Sequence, residues 1–396
     1  MNPKPVNCAY LPLVDCAPLI IAQDLSFAAE EGLHLNLHPQ PSWSALRDRL
    51  AFGHVDFAHI LSPMPVAMSL GLGGVKARID ALMVLSVNGT VLGVTADLEA
   101  KMRASGWQNT LQNPASTAQA ALSAADKPIR IGVPFPFSMH RMLLEYWITQ
   151  APNFDPAKIE IVTVPPPKMA DAVREGHLDM FCVGEPWGSV AVQNSNAVLI
   201  LPGSRIWAAA PEKVLGVRHD WAEANPQTCH AMMRAVYKAC KWLDQPTNKP
   251  LAIEILTRSQ HLNLPEHAIE PALTGLIAPS LDHAPIQVEQ FLSFHDRAAN
   301  FPWRSQAKWI AGRLADWHDL DVEAAQDIAQ ACFRTDHYRH ALSPIGVDMP
   351  GASEKIEGAL TVPTAVASTK GEMILGPDRF FDDAVFDFAP ANPPKK

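Results

Sequence analysis

Asp179-Met180-Phe181-Cys182-Val183-Gly184-Glu185-Pro186-Trp187-Gly188 is the stretch around which the rest of the chain is organised. An apolar run from Met180 to Val183, long enough for one buried strand, stops at Gly184. There the backbone can approach a ligand or turn sharply with no side chain in the way. Glu185-Pro186 then turns the chain into the next segment, with proline at a tolerated first helical position. A strand ending in a glycine-led turn at a helix start is where open α/β sheets place ligands.

Working outward, the same rhythm of strand and helix repeats. Residues 6–14 read as a first strand, 19–31 as a helix stopped by Gly32, and the strict alternation of 33–38 as a half-buried strand. Strand, helix, strand with short joints is a parallel βαβ unit, whose helix start faces a cleft. Further strands are expected at 81–87, 91–95, 129–134, 159–164, 197–201 and 214–217, with a turn at Asn88-Gly89 and a long helix over 226–243. Residues 250–345 read as helix-rich, and 346–396 lose periodicity, ending loosely in Asn392-Pro393-Pro394-Lys395-Lys396.

Size and composition bound the function. The chain has 396 residues, 48% hydrophobic and 18% charged, enough for a two-lobed globular molecule with a sizeable core. A net charge of −9, with no basic run, argues against nucleic acid or a membrane surface as partner. The N-terminus has no positive region followed by a long apolar segment, so a secretory signal is not expected. Six cysteines (Cys8, Cys16, Cys182, Cys229, Cys240, Cys332) lack CxxC spacing and give no metal or disulfide framework. Their apolar neighbours suit free thiols in a reducing compartment, and a cytoplasmic location is the expectation.

Several residues stand where chemistry is possible, each with a bland alternative. Ser42 is a plausible N-cap, which puts Trp43 in a first helical turn beside outward-pointing N–H groups. Trp43 is either a flat wall for a small planar anion or a core residue, with about even odds. His59, in an apolar run, is more often structural than a ligand by roughly two to one. Gly71-Leu72-Gly73-Gly74 lacks the Lys-Ser/Thr of a phosphate loop and reads as a turn. Ser138 should cap a helix and place His140 in its first turn, where the helix dipole disfavours a positive ring. Lys213 is ordinarily a solvated surface charge. Cys182, inside an apolar run, should be buried and inert, and no triad, metal set or nucleotide loop accompanies it.

Phe181-Cys182-Val183-Gly184-Glu185-Pro186-Trp187 resembles the signature of the NrtA/CmpA-like nitrate/bicarbonate ABC-transporter substrate-binding proteins, and of their cytoplasmic nitrate/nitrite sensor relatives of the NasS type. Pro18-Leu19-Ile20-Ile21-Ala22, Ser42-Trp43, Asp56 to Pro65, the Pro136 to Trp147 block, Pro211 to Gly216 and Pro302 to Trp309 match the family in order, over roughly residues 6–345. The resemblance implies an α/β, two-lobed periplasmic-binding-protein-like fold of type II. Two α/β lobes would be joined by a two-stranded hinge, with a ligand cleft between them. Residues 6–90 plus 206–345 would form lobe I, 91–205 lobe II, and 346–396 a partly irregular extension; the chain would re-cross near Arg205-Ile206-Trp207.

The resemblance also implies a ligand set of Trp43, Thr90, His140, Gly184 and Lys213, with no metal and no cofactor. Thr90 stands where transport members commonly carry a glutamine. Lys213 falls at the position that separates nitrate binders from bicarbonate binders. Nitrate is monovalent and planar and carries acceptors only, so a cation and N–H donors suit it, whereas bicarbonate has a hydroxyl to donate. The expected function is a cytoplasmic nitrate/nitrite sensor that holds a NasT-like RNA-binding antiterminator and releases it when the anion binds. The alternative is the binding component of a nitrate or bicarbonate importer. An enzyme built on Cys182 or a histidine is the least supported class.

Overall fold

Two runs in which every residue is buried, Ile79–Asn88 and Met180–Gly184, lie inside two separate sheets. A run buried on both faces need not alternate: Met180–Val183 is continuously apolar, and Ile79–Asn88 is apolar apart from Asp80, Ser86 and Asn88. The computed structural model describes residues 3–388. The chain opens with β1 (Lys4–Tyr10), α1 (Ala17–Asp24), α2 (Phe27–Glu30), β2 (Leu33–Pro39), α3 (Trp43–Ala51), β3 (Phe57–Leu61), α4 (Pro63–Ser69) and β4 (Ile79–Asn88). It continues through β5 (Thr90–Val94), α5 (Ala96–Ala104), α6 (Pro114–Ala124), β6 (Ile129–Val133), α7 (Met139–Ile148) and β7 (Ile159–Thr163). Next come α8 (Met169–Arg174), β8 (Met180–Gly184), α9 (Trp187–Ser195), β9 (Val198–Pro202) and β10 (Pro211–Arg218). Helices α10 (His219–Ala224), α11 (Pro226–Leu243), α12 (Lys249–Thr257) and α13 (Glu266–Thr274) follow. Short strands β11 (Leu276–Ile277), β12 (Ile286–Gln287) and β13 (Leu292–Ser293) precede α14 (Arg304–His318), α15 (Val322–Cys332) and α16 (Thr335–Leu342). A hairpin of β14 (Thr364–Ser368) and β15 (Gly371–Leu375) comes last.

The first sheet has the order β13-β4-β10-β3-β1-β2 and the second β7-β6-β8-β5-β9. In the first, β1 runs parallel to β2 and β3 while β10 is antiparallel to β3 and β4. In the second, β6 is parallel to β7 and β8, and β5 is antiparallel to β8 and β9. This is the two-lobed α/β architecture expected of a binding protein. The chain passes from β4 to β5 at Asn88-Gly89, where φ is +63° and +88°. Gly89 takes that left-handed conformation without strain, and asparagine tolerates it better than most side chains. Return from β9 to β10 brings the second crossing alongside. Asn88 ties the two together: its Nδ2 donates to Ala208 O at 2.8 Å and to Gln290 O at 3.2 Å, and its backbone N–H donates to Ala210 O at 2.9 Å.

Several local readings shift. The first strand ends at Tyr10, and Val14–Cys16 forms a 3₁₀ turn, because Val14 N donates to Glu185 O of the other lobe at 2.9 Å. The helix expected over 19–31 starts at Ala17 and breaks after Asp24, with Ser26 left-handed at φ 65° before α2. Pro186 is the N-cap residue of α9 rather than its first helical residue. Among the described residues no helix is long and apolar enough to cross a membrane.

The extension that loses periodicity after residue 345 is nonetheless packed. Phe381 N donates to Ile206 O at 2.9 Å and Ala208 N to Arg379 O at 3.0 Å, so the strap pairs with the second crossing. Phe380 is fully buried, its ring 4.7 Å from Trp207, 5.4 Å from Tyr146 of α7 and 5.8 Å from Trp309 of α14. Tyr146 also donates its hydroxyl to Asp382 at 2.9 Å. One aromatic cluster therefore joins both lobes to the hinge. The loose end expected at Asn392 to Lys396 lies outside the described residues.

Candidate functional site

Both parallel-strand sets aim their C-terminal ends into the space between the lobes, where open α/β sheets collect ligand groups. Trp43 opens α3, after β2; Ser42 caps that helix, its Oγ accepting from Ala45 N at 3.2 Å. His140 lies in the first turn of α7, after β6, under the Ser138 cap, whose Oγ accepts from Arg141 N at 3.2 Å. Each cap contributes about 1 kcal/mol and fixes where the first turn begins. Gly184 ends β8, opposite Thr90 in the register. Glu212 and Lys213 lie on β10, and Asp15 sits in the turn after β1.

These elements close on one buried cluster of charge. Lys213 is fully buried, with Nζ donating to Asp15 Oδ2 at 2.7 Å and to Glu212 Oε1 at 2.8 Å. His59 Nε2 lies 3.0 Å from Asp15 Oδ1, and His140 Nδ1 lies 3.1 Å from Glu212 Oε1. Both histidines are fully buried, and all four of their ring nitrogens lie off the line of an ideal hydrogen bond. Such contacts commonly tighten only in a complex. The Lys213 ammonium stands over the Trp43 ring, 5.4 Å from its centroid, and Trp43 Nε1 has no partner. Cations favour that ring face. A Cβ placed on Gly184 would come 2.8 Å from Leu13 Cδ2 and 3.4 Å from His140 Nε2, so only glycine leaves that corner open.

One cation shared by two carboxylates cannot satisfy both equally. Burial would raise Asp15, but Lys213 and His59 outweigh it and hold the carboxyl well below the usual range. Glu212, with burial against it and Asp15's charge nearby, is pushed up to about 7 despite Lys213. Burial opposes the charge on Lys213 as well, yet the two carboxylates raise it. His140 is driven well below its ordinary value by burial and by Lys213; His59 is lowered by burial, partly offset by Asp15. Cys182 is a buried thiol raised well above its ordinary value by burial and Glu212, which makes it inert as a nucleophile.

The sequence-derived set is thus only partly assembled as expected. Trp43, His140, Gly184 and Lys213 come together. Thr90 is buried, but its hydroxyl abuts Gly203, where a Cβ would meet it at 2.1 Å, with Leu143 beside it, and has no hydrogen-bond partner. Thr90 pairs with Gly184 across β5 and β8. Lys213 is not a free counter-charge, because two carboxylates already face it. Asp15, His59 and Glu212 lie outside the sequence-derived ligand set. The one local signal is Glu212-Lys213, adjacent opposite charges leading into the apolar run Val214–Val217 of β10.

A second polar group, Asp80, His219 and Glu223, has metal-like donor spacing. Arg334 supplies its cation: Nη1 lies 2.9 Å from Glu223 Oε1 and also pairs with Asp80. That group is a salt-bridge network beneath α10 and α16.

The sequence model of the NMT1-like family matches residues 1–257. The chain is 31% identical over 322 residues to the nitrate import ATP-binding protein NrtC of Synechocystis sp., covering 80% of this chain and 46% of that protein. It therefore spans about half the length of that relative. It is 28% identical over 400 residues to the nitrate/nitrite binding protein NrtA of Synechococcus elongatus, covering 98% and 84% of the two chains. The crystal structure of the periplasmic nitrate-binding protein NrtA from Synechocystis PCC 6803 superposes with a TM-score of 0.83 at 24% identity, over 97% of this chain and 96% of that one. At that identity the superposition speaks for the fold.

Proposed function

The chain belongs to the NMT1-like family, and from that premise we propose that it is a binding protein for nitrate or nitrite, held between the two lobes. The observation that carries this reading is the fully buried lysine beside Trp43 and His140, both with ring nitrogens lacking partners. Nitrate brings acceptors and no donors, so Trp43 Nε1–H, a His140 N–H and the Lys213 ammonium are matched to it. A weakly hydrated monoanion also loses less on leaving water than a strongly hydrated one, and the cation and N–H donors offset that cost. The NrtA relatives, which are nitrate/nitrite binding proteins, point the same way.

In this reading the output is regulatory. The protein is a cytoplasmic sensor whose closure on the anion changes its affinity for an RNA-binding antiterminator of the NasT type, releasing it. Six free, buried cysteines suit a reducing compartment and support that assignment. The likeness to the nitrate import protein NrtC and the nitrate/nitrite binding protein NrtA supports a second reading, the substrate-binding component of an ABC importer.

Thermal unfolding with nitrate, nitrite, chloride, and bicarbonate plus calcium, at matched ionic strength, tests the ligand. A specific ligand at about a hundred times its Kd adds roughly 2.7 kcal/mol. A rise in Tm with nitrate or nitrite alone is expected; a rise only with bicarbonate and calcium would overturn the reading. Sedimentation of the chain mixed with an antiterminator, with and without nitrate, separates sensor from importer component.

A further inference from the structure

We infer that Glu212 makes anion capture proton-linked: it sets which nitrogen of His140 carries hydrogen, and so whether Nε2 meets the ligand as donor or acceptor. This rests on the anion reading above and concerns the same site. His140 Nδ1 lies 3.1 Å from Glu212 Oε1, within reach of it but off the line of a formed hydrogen bond. Nε2 faces the other way, beside Gly184, with no partner.

An ionised Glu212 has no hydrogen to give, so its charge 3.1 Å away favours the tautomer with the proton on Nδ1. A neutral imidazole then has a lone pair on Nε2. A lone pair turned towards the ligand repels an acceptor-only anion. One proton added to the pair reverses this whichever atom holds it. On Glu212, it is donated to Nδ1 and the ring's own hydrogen moves to Nε2. On the ring, both nitrogens carry hydrogen. Either way Nε2 becomes a donor.

The charges facing the pair lead to the same result. Lys213 is 2.8 Å from Glu212 Oε1, but Asp15 shares it, and His59 lies against Asp15. The Cys182 thiol on β8 is neutral. With Glu212 ionised, the two carboxylates exceed the single lysine, and an incoming anion adds to a negative site. The proton removes that excess. Burial, which raises Glu212, places this titration within the neutral range. Glu212 is therefore a positioning residue that selects monoanions and disfavours dianions such as sulfate.

Calorimetric titration with nitrate, at each pH in buffers of different ionisation heat, counts the protons taken up. Above the pair's pKa the wild type should take up close to one proton per nitrate, and Kd should rise about tenfold per pH unit. Glu212→Gln can offer its amide N–H to Nδ1 at any pH, so its nitrate affinity should be flat with pH and its proton uptake lost. If that variant does not fold, the wild-type proton count decides alone. Nitrate binding with no proton uptake and a flat Kd would overturn the inference while leaving the anion reading intact. No nitrate binding at any pH would overturn both.

Discussion

Replacing Lys213 by methionine isolates what the buried ammonium does. Its Nζ lies 2.7 Å from Asp15 and 2.8 Å from Glu212, and the residue is 0% exposed. Methionine fills nearly the same volume, so the perturbation is electrostatic rather than a cavity. Breaking a buried ion pair by removing one partner costs about 3–5 kcal/mol, because the surviving charge has no water to return to. Against a typical total of roughly 5–15 kcal/mol that is about a fifth of the stability or more. The pH dependence gives the mechanism away. In the wild type Asp15 is held low, so it contributes stability above its unfolded pKa that is lost as pH falls through the folded one. Glu212 is raised already in the wild type; in the variant Asp15 is raised as well, so its folded state binds a further proton and gains more stability as pH falls. The gap between the two proteins should therefore narrow from about pH 8 to about pH 5. Adding Asp15→Asn removes one orphaned charge and should restore part of the loss. Urea denaturation followed by tryptophan fluorescence, with m unchanged, measures all three proteins. A Lys213→Met protein within about 1 kcal/mol of wild type at pH 8, or an Asp15→Asn that deepens the loss, would refute the reasoning. Charge reversal at Lys213 is less informative, because it would bury three carboxylates together.

Gly184→Ala should weaken nitrate binding roughly tenfold or more, since its methyl would press on Leu13 and crowd His140 Nε2; unchanged affinity in a binding titration would place the ligand elsewhere. Glu185 is buried, accepts from Ser189 N at 3.0 Å and is pushed up to about 7 by burial. Its raised pKa favours the folded state at acid pH and that contribution is lost as pH rises through about 7. Glu185→Gln should accordingly flatten the fall in stability between about pH 5 and pH 8, as read by urea midpoints. Phe380→Ala should cost about 3–5 kcal/mol by opening the cluster between Trp207, Tyr146 and Trp309. Loss of less than about 1 kcal/mol on thermal or urea unfolding would mean the strap does not fasten the lobes.

What the sequence determined by itself was local. The signature strand falls at Met180–Gly184, β10 within Pro211–Arg218 and α11 at Pro226–Leu243, because period, glycine punctuation and proline act over a few residues. The Ser42 and Ser138 caps follow from the same short-range chemistry, and they put Trp43 and His140 at helix starts. What only the tertiary structure decided was charge pairing. Asp15 and Lys213 are 198 residues apart, and Asp15 reaches its place because the turn at Val14–Cys16 is held by Glu185 O from the opposite lobe. Nothing local distinguishes such an aspartate from a solvated loop residue, nor His59 from a core histidine. The order of the strap after residue 345 is invisible to sequence pattern for a related reason. Its order comes from Phe380 entering a cluster built by Trp207, Tyr146 and Trp309, which no periodicity within the strap records. Periodicity reports which face of an element is buried; which charges are buried together depends on the closure of two lobes, and that exists only once the chain has folded.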